Sequence, residues 1–336
     1  MRQSLKAGLL SCAIFLGLVG LLFGYQAIYP AVSDDPTEST PSINAPVTTD
    51  PTDPSPSDPV VSLIPDPPTF SLYSSHVFVY DTASNQLLFC VGEMDTQLAP
   101  ASLTKLFTAY AALQCLDPST IITVTDEVSL IDPNSSIAYI YSGYRLSVEQ
   151  CIEGMLLPSG NDASYVLAAA AGRALQNNPT LSTRTAISVF MNYVNELAER
   201  LGLENTHFIN PDGIDATGHY TSMEDLLAIG QLALETPILR KYCALAKDTV
   251  TLASGQTRTW ENSNEILHSS SNYYRPNACG LKTGSTSRAG NCLISAFAID
   301  GGHLIIGVLG SASKNGRYED TVALYDYYLA HLSQQD

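Results

Sequence analysis

Strand-forming sequence occurs at both ends of residues 70–336, while the stretch between is patterned for helices. His76 to Tyr80 and Gln86 to Cys90 flank the turn-rich Asp81 to Asn85, which predicts a β-hairpin. Comparable signals return only at Thr249 to Leu252, Gly280 to Ser285, Cys292 to Ile299 and His303 to Leu309. Between them, helices are predicted at Ser102 to Leu113, Val148 to Leu157, Asn161 to Arg173, Ala186 to Leu201 and Met223 to Glu235, with a closing helix at Tyr318 to Leu332. Strands at both ends around a helical middle imply one sheet assembled from distant segments. The expected fold class is α/β (α+β): an antiparallel sheet flanked by helices, with a mainly helical second subdomain. No internal repeat is evident.

The chain ahead of residue 70 has a different character. Arg2 and Lys6 precede an uncharged run from Ala7 to about Ala27, long enough to span a bilayer. A cleaved secretory signal would have a shorter apolar core and a small-x-small site, and the sites ending at Ala27 or Ala31 have Tyr25 or Tyr29 at the third position. Residues 1–30 are therefore expected to be a cytoplasmic stub and transmembrane signal anchor, in preference to a cleaved signal, with everything beyond them exported. Residues 31–69 are rich in Pro, Ser, Thr and Asp, and their acids face no Lys or Arg. Frequent proline forbids ladders and helices, and self-repulsion extends what remains, so this segment is expected to be a disordered linker. Residues 70–336 are left as the folded domain.

Charge narrows the partners. Thirty-three acids against 16 Lys and Arg give a formal net charge of −17, which repels phosphate backbones, so no nucleic-acid partner is expected. Six of the seven cysteines follow the leader, and no spacing of Cys and His suggests a metal site. In an oxidising compartment disulfides are open to them, but a domain of this size does not need any, and buried free thiols fit as well. No metal and no cofactor is expected.

Three short motifs occur in the order Ser102-Leu103-Thr104-Lys105, Ser159-Gly160-Asn161 and Lys282-Thr283-Gly284. Residues three apart on a helix share a face, so Ser102 and Lys105 can touch. A serine hydroxyl becomes an effective nucleophile when a base takes its proton, and a lysine becomes that base when burial or a nearby cation lowers its pKa. Lys282 is a candidate for that cation. Pro100 puts Ser102 in the first turn, where its own N–H is a candidate oxyanion donor. Ser159 is a candidate proton shuttle between Lys105 and a leaving amine. Asn161 reads either as a helix N-cap or as a donor that orients lysine and substrate, and Asp162 as a first-turn partner of the helix dipole. Lys282 and Thr283 offer a charge and a hydroxyl suited to a terminal carboxylate. Gly284 removes a side chain where a substrate backbone must approach, and the N–H of Ser285 is the second oxyanion candidate. Arg288 is a weaker carboxylate candidate in the turn beyond.

The ordered trio is the signature of penicillin-binding proteins and related serine β-lactamases. The chain more specifically resembles the low-molecular-mass penicillin-binding D-alanyl-D-alanine carboxypeptidases. Ala99-Pro100-Ala101-Ser102-Leu103-Thr104-Lys105, Ser159-Gly160-Asn161-Asp162-Ala163, Asn210-Pro211-Asp212-Gly213 with Gly218-His219-Tyr220, and Lys282-Thr283-Gly284-Ser285-Thr286 with Ala289-Gly290-Asn291-Cys292-Leu293 carry the likeness, across about residues 70–336. The resemblance implies a serine β-lactamase/transpeptidase-like fold, with Ser102 as nucleophile and Lys105 as general base. Ser159 and Asn161 are the second-motif partners and Lys282 with Thr283 the carboxylate binders. The implied substrates are peptidoglycan stem peptides ending in D-Ala-D-Ala, and the implied covalent inhibitors are β-lactam antibiotics. Many relatives carry a β-rich C-terminal domain and a C-terminal anchor, so anchoring here is expected through the N-terminus. Ser285 stands where relatives often have a larger side chain.

Two other readings compete. A class A β-lactamase needs a further Glu to position water, and no Glu-x-x-x-Asn element follows Ser159 in the expected stretch. A catalytically idle wall-binding protein would not need Ser102, Lys105 and Lys282 intact. A Ser/His/Asp hydrolase is disfavoured, since no Gly-x-Ser-x-Gly elbow occurs, and His219 is expected to be structural.

Overall fold

The computed structural model describes residues 66–332. The predicted anchor and most of the predicted linker, with Cys12, lie outside the described residues. Among the described residues no helix is long and apolar enough to cross a membrane.

Five strands form one antiparallel sheet in the order β2-β1-β9-β8-β7: β1 His76–Asp81, β2 Gln86–Val91, β7 Ala278–Thr286, β8 Gly290–Ile299 and β9 Gly302–Ser311. The distant segments do assemble into one sheet, joined where β1 pairs with β9 and Phe78 lies opposite Gly307. A Cβ at Gly307 would lie 2.0 Å from the Phe78 ring, so the glycine makes room for a fully buried aromatic side chain at the join. That burial stabilises by roughly 2–3 kcal/mol.

Alternation along the strands gives the sheet two apolar faces. Val77, Val79, Leu293, Phe297, Leu304, Ile306 and Val308 belong to one cluster with Tyr318, Leu324, Tyr325 and Tyr328. Those four come from the closing helix α7, Gly316–Leu332. Phe297 stacks on Tyr325 with ring centroids 4.2 Å apart, a pairing worth about 0.5–1.5 kcal/mol beyond its area. On the other face Phe78, Ile294, Ala296, Ile305 and Leu309 join the larger core. Its helices are α1 Thr104–Leu113, α2 Val148–Leu156, α3 Asn161–Leu175, α4 Thr183–Arg200, α5 Met223–Glu235 and α6 Pro237–Ala244. Two small ribbons, β3 Ile121–Thr123 with β4 Arg145–Ser147 and β5 Lys247–Thr251 with β6 Thr257–Glu261, complete the strands.

Two local devices aim the site. Ser147 and Gln150 form a reciprocal capping box that fixes the start of α2, and the helix runs out at the turn holding Ser159. The Asp162 carboxylate accepts the N–H groups of Ala138 (2.7 Å), Ile140 (2.9 Å) and Ala163 (2.9 Å), so it ties the 136–140 loop to the start of α3. Asp162 is thus a loop clamp as well as a first-turn acid. The N-cap of α3 is Gly160, which corrects the N-cap reading of Asn161: that residue is the first of the helix, and its N–H donates to Ser136 O at 2.8 Å. The helix predicted from Ser102 likewise begins at Thr104, because Ala101 has a left-handed backbone (φ +50°) and Ala101–Leu103 form a tight 3-10 turn instead. All six cysteines among the described residues are free thiols.

Candidate active site

The turn holding Ser102 is packed from two sides by glycine. A Cβ at Gly284 on β7 would lie 2.9 Å from both Ala101 Cβ and Ser102 N, and one at Gly213 would lie 1.9 Å from Ala101 O. Gly284 therefore admits the nucleophile turn itself, a closer approach than the expected substrate backbone. Ala101 at φ +50° and Ser159 at φ +62° are both non-glycine residues in the left-handed region, at a cost of order 1–3 kcal/mol each. The fold spends that strain at the turns of the first and second motifs.

Lys105, the second residue of α1, has no exposed surface. Its Nζ donates to Ser102 Oγ at 2.8 Å and to the main-chain carbonyl of Asp212 at 2.6 Å. Burial lowers its pKa to about 8, although the carboxylates of Asp212 and Asp162 pull the other way. A lysine held at hydrogen-bond distance from a serine, with its charged form disfavoured, can take that serine's proton.

The hydroxyl opens into a cleft of about 460 Å³, lined by Ser102 and Ser159 on one side and by Thr283, Gly284, Ser285 and Arg317 on the other, with Ser136, Ser263 and Glu265 at its borders. β7 is the last strand of the sheet, so one edge of it is free for an extended peptide to pair with. Thr283 is buried and shares a 2.6 Å hydrogen bond with the Ser263 hydroxyl. Ser285 Oγ donates to Asn291 Oδ1 at 3.0 Å.

Lys282 and Asn161 do not line the cleft. Lys282 is buried with 1% exposure, and its Nζ donates to Thr283 O at 3.1 Å. Burial first, then the positive charge of Lys105, pushes its pKa well down. Lys105 thus opposes the charged form of Lys282, whereas the lowering at Lys105 itself comes from burial. Arg288 is exposed in the β7–β8 turn, where its N–H donates to Asp215.

Two cations line the cleft, exposed Lys314 and buried Arg317, and neither was singled out from the sequence; Arg317 is the one built into the strand wall. Its Nη1 donates to Gly284 O (3.1 Å), Ser285 Oγ (3.0 Å) and Cys292 O (3.3 Å), and Nη2 donates to Tyr318 OH (3.1 Å). It is 3% exposed, and among the described residues no carboxylate pairs with it. A buried guanidinium balanced only by neutral acceptors leaves positive potential for an incoming anion. The sequence carried one signal: Arg317 stands in the first turn of α7, where the helix dipole disfavours a cation. Asp212, the other missed contributor, acts through a main-chain oxygen.

Comparison with known proteins shows the family. The family model described as D-alanyl-D-alanine carboxypeptidase, of the peptidase S11 group, matches residues 63–313. The D-alanyl-D-alanine carboxypeptidase of Streptomyces sp. strain K15 is 34% identical over 247 residues, covering 70% of this chain and 80% of that protein. DacD of Escherichia coli is 32% identical over 274 residues (76% of this chain), and DacF of Bacillus subtilis 26% identical over 235 (69% of this chain). The chain spans 62% and 56% of the lengths of those two relatives. The crystal structure of the Streptomyces K15 DD-transpeptidase superposes with a TM-score of 0.68 at 28% identity, covering 77% of this chain and 98% of that one. The serine–lysine pair, the cleft and the penicillin-binding fold around them place this chain in the D-alanyl-D-alanine carboxypeptidase family of serine peptidases.

Proposed function

We propose that the chain is a serine-type D-Ala-D-Ala carboxypeptidase, which removes the terminal D-Ala from peptidoglycan stem peptides through an acyl-enzyme on Ser102. The observation that carries this reading is the 2.8 Å contact between Lys105 Nζ and Ser102 Oγ at the floor of a cleft bordered by a free strand edge. The stem peptide pairs along β7, and its terminal carboxylate meets Thr283 and the field of Arg317, with Lys282 buried behind Thr283 and bonded to its carbonyl. Neutral Lys105 takes the Ser102 proton as Oγ attacks the carbonyl carbon of the penultimate D-Ala. The N–H groups of Ser102 and Ser285 receive the oxyanion. As the C–N bond breaks, Ser159 relays a proton from Lys105 to the departing amine, and Asn161 holds this side of the site. Water then attacks the ester, gives its proton back through Lys105, and frees Ser102.

The same acylation makes Ser102 the target of β-lactam antibiotics. The acceptor in the second half-reaction has a competing reading: the similar Streptomyces K15 structure is that of a DD-transpeptidase, and an amine on a second stem peptide would serve in place of water. Residues 1–30 serve, in this reading, as a membrane anchor and 31–69 as an extended linker, so that the 70–336 domain works outside the bacterial cytoplasmic membrane. Their composition supports this. Finding Met1 as the N-terminus of membrane-extracted protein supports an uncleaved anchor, and a start beyond residue 27 rejects it.

Release of D-alanine from diacetyl-L-lysyl-D-Ala-D-Ala tests the activity. Wild type should release it and Ser102→Ala should not. No release by wild type rejects the peptidase reading, and equal release by both rejects Ser102 as nucleophile.

A further inference from the structure

His219 is 2% exposed and has no part in the lysine-based steps above. Its bonds fix its state. The Ile209 N–H donates to Nδ1 at 3.1 Å, so the proton sits on Nε2, which lies 3.0 Å from Thr104 Oγ1. The Thr104 hydroxyl in turn donates to Ala101 O at 2.9 Å. The path runs from imidazole N–H to hydroxyl to the carbonyl of the residue immediately before the nucleophile. Ala101 is the left-handed residue of that turn, and the same carbonyl is the atom against which Gly213 is packed.

The other side of the ring holds a second part of the site. Ile209 opens the segment 209–213, whose carbonyls are spent on α1: Pro211 O accepts from the Thr108 hydroxyl at 2.9 Å and Asp212 O from Lys105 Nζ at 2.6 Å. One imidazole thus stands between the turn that carries the nucleophile and the segment that holds its base. The ring tilts against Phe208 with centroids 5.3 Å apart. Burial keeps its pKa down at about 4, helped by the charges of His207, Arg288 and Lys105 and opposed by Asp215. The neutral ring with a single tautomer is therefore constant through the neutral pH range.

We infer that His219 is a positioning residue for acylation: through Thr104 it sets the strained Ala101 turn that aims Ser102, and through the Ile209 amide it sets the segment that holds Lys105. The inference rests on the acyl-enzyme reading above. A ring that only filled space would need neither a donor aimed at Thr104 nor an acceptor aimed at a main-chain amide.

The test is stopped-flow acylation of the full chain by a fluorescent penicillin, with burst stoichiometry used to count active sites. His219→Asn keeps an acceptor for the Ile209 amide and loses the donor to Thr104. Its acylation rate constant per active site should fall about 100-fold, the scale of an ångström-level misplacement, with the dissociation constant of the initial complex unchanged. His219→Gln restores a donor near Thr104 and should lie between that variant and wild type. Adding Thr104→Val to His219→Asn should cost nothing more, because the two act through one path. Should His219→Asn fail to fold, Thr104→Val alone, with the imidazole in place, is predicted to slow acylation by a similar factor. An unchanged rate constant per active site in His219→Asn or in Thr104→Val overturns the inference while leaving the functional reading intact. Absence of any adduct on wild type overturns that reading and the inference with it.

Discussion

If Lys105 takes the proton of Ser102, acylation follows the neutral fraction of that amine. Burial places its pKa at about 8, against 10.5 for an ordinary lysine. The neutral fraction is then about 1% at pH 6, about 10% at pH 7 and about 90% at pH 9. The second-order rate constant for penicillin acylation should rise about tenfold per pH unit up to pH 7, pass half-maximum near pH 8 and level off above pH 9. The total rise from pH 6 to pH 9 is about 90-fold. A lysine at its ordinary value would give a rise of about 1,000-fold over the same interval with no plateau. Stopped-flow measurement at substrate concentrations well below saturation reads the free enzyme. The two lysines interact, so the half-point belongs to the pair. A profile that climbs tenfold per unit to pH 9.5, or one that is flat from pH 6, would refute Lys105 as a base primed by burial.

Arg317→Met should lower kcat/KM for a D-Ala-D-Ala peptide by about 10- to 100-fold, the value of a lost charge-assisted bond, while a peptide with an amidated C-terminus should react equally with both forms. Equal loss on both peptides would place Arg317 in the scaffold instead. Glu153 is buried in α2 and its carboxyl is pushed up to about 8, by burial first and by Asp248 second, from 4.5. Because the folded state holds that proton more tightly, its contribution to stability is whole below pH 4.5 and is lost as pH rises to 8. Glu153→Gln copies the protonated form, so its Tm should match wild type near pH 4.5 and exceed it increasingly up to pH 8. A constant difference across that range would contradict this. Gly172→Ala adds a methyl 1.8 Å from Ala186 O between α3 and α4, and should cost about 1–3 kcal/mol in a denaturant titration.

The parts of the fold that were legible from sequence are those in which local pattern and tertiary environment agree. The β1–β2 hairpin, β7 to β9 and α1 to α5 fall within a few residues of expectation, because β7 to β9 are short apolar runs bounded by turns and buried on both faces, and the helices carry apolar residues at a 3.6-residue period. β6 was missed: of Thr257-Arg-Thr-Trp-Glu261 only Trp260 is buried, so the strand carries little apolar alternation. α6 was missed because Pro237 reads as the end of α5, whereas it starts a new helix at the first position. The start of α1 was displaced because no residue type announces a left-handed alanine, and Ala101 is packed by Gly213 and Gly284 from elsewhere in the chain and held by the Thr104 hydroxyl three residues on. In the site, the Ser102–Lys105 pair was readable because helical geometry brings residues three apart together. Arg317 and the Asp212 carbonyl were not, since neither acts through a neighbour in sequence. Lys282 marks an intermediate case: its strand and its closeness to Lys105 followed from the motif, but its burial beneath the cleft did not.

The central claim is that Ser102 becomes covalently acylated. Intact-protein mass spectrometry after brief exposure to benzylpenicillin, followed by peptide mapping, tests it directly. The account predicts one adduct per chain, carried by the peptide containing Ser102 and absent from Ser102→Ala. An adduct on Ser159 or on any other residue, or no adduct on wild type, would contradict it.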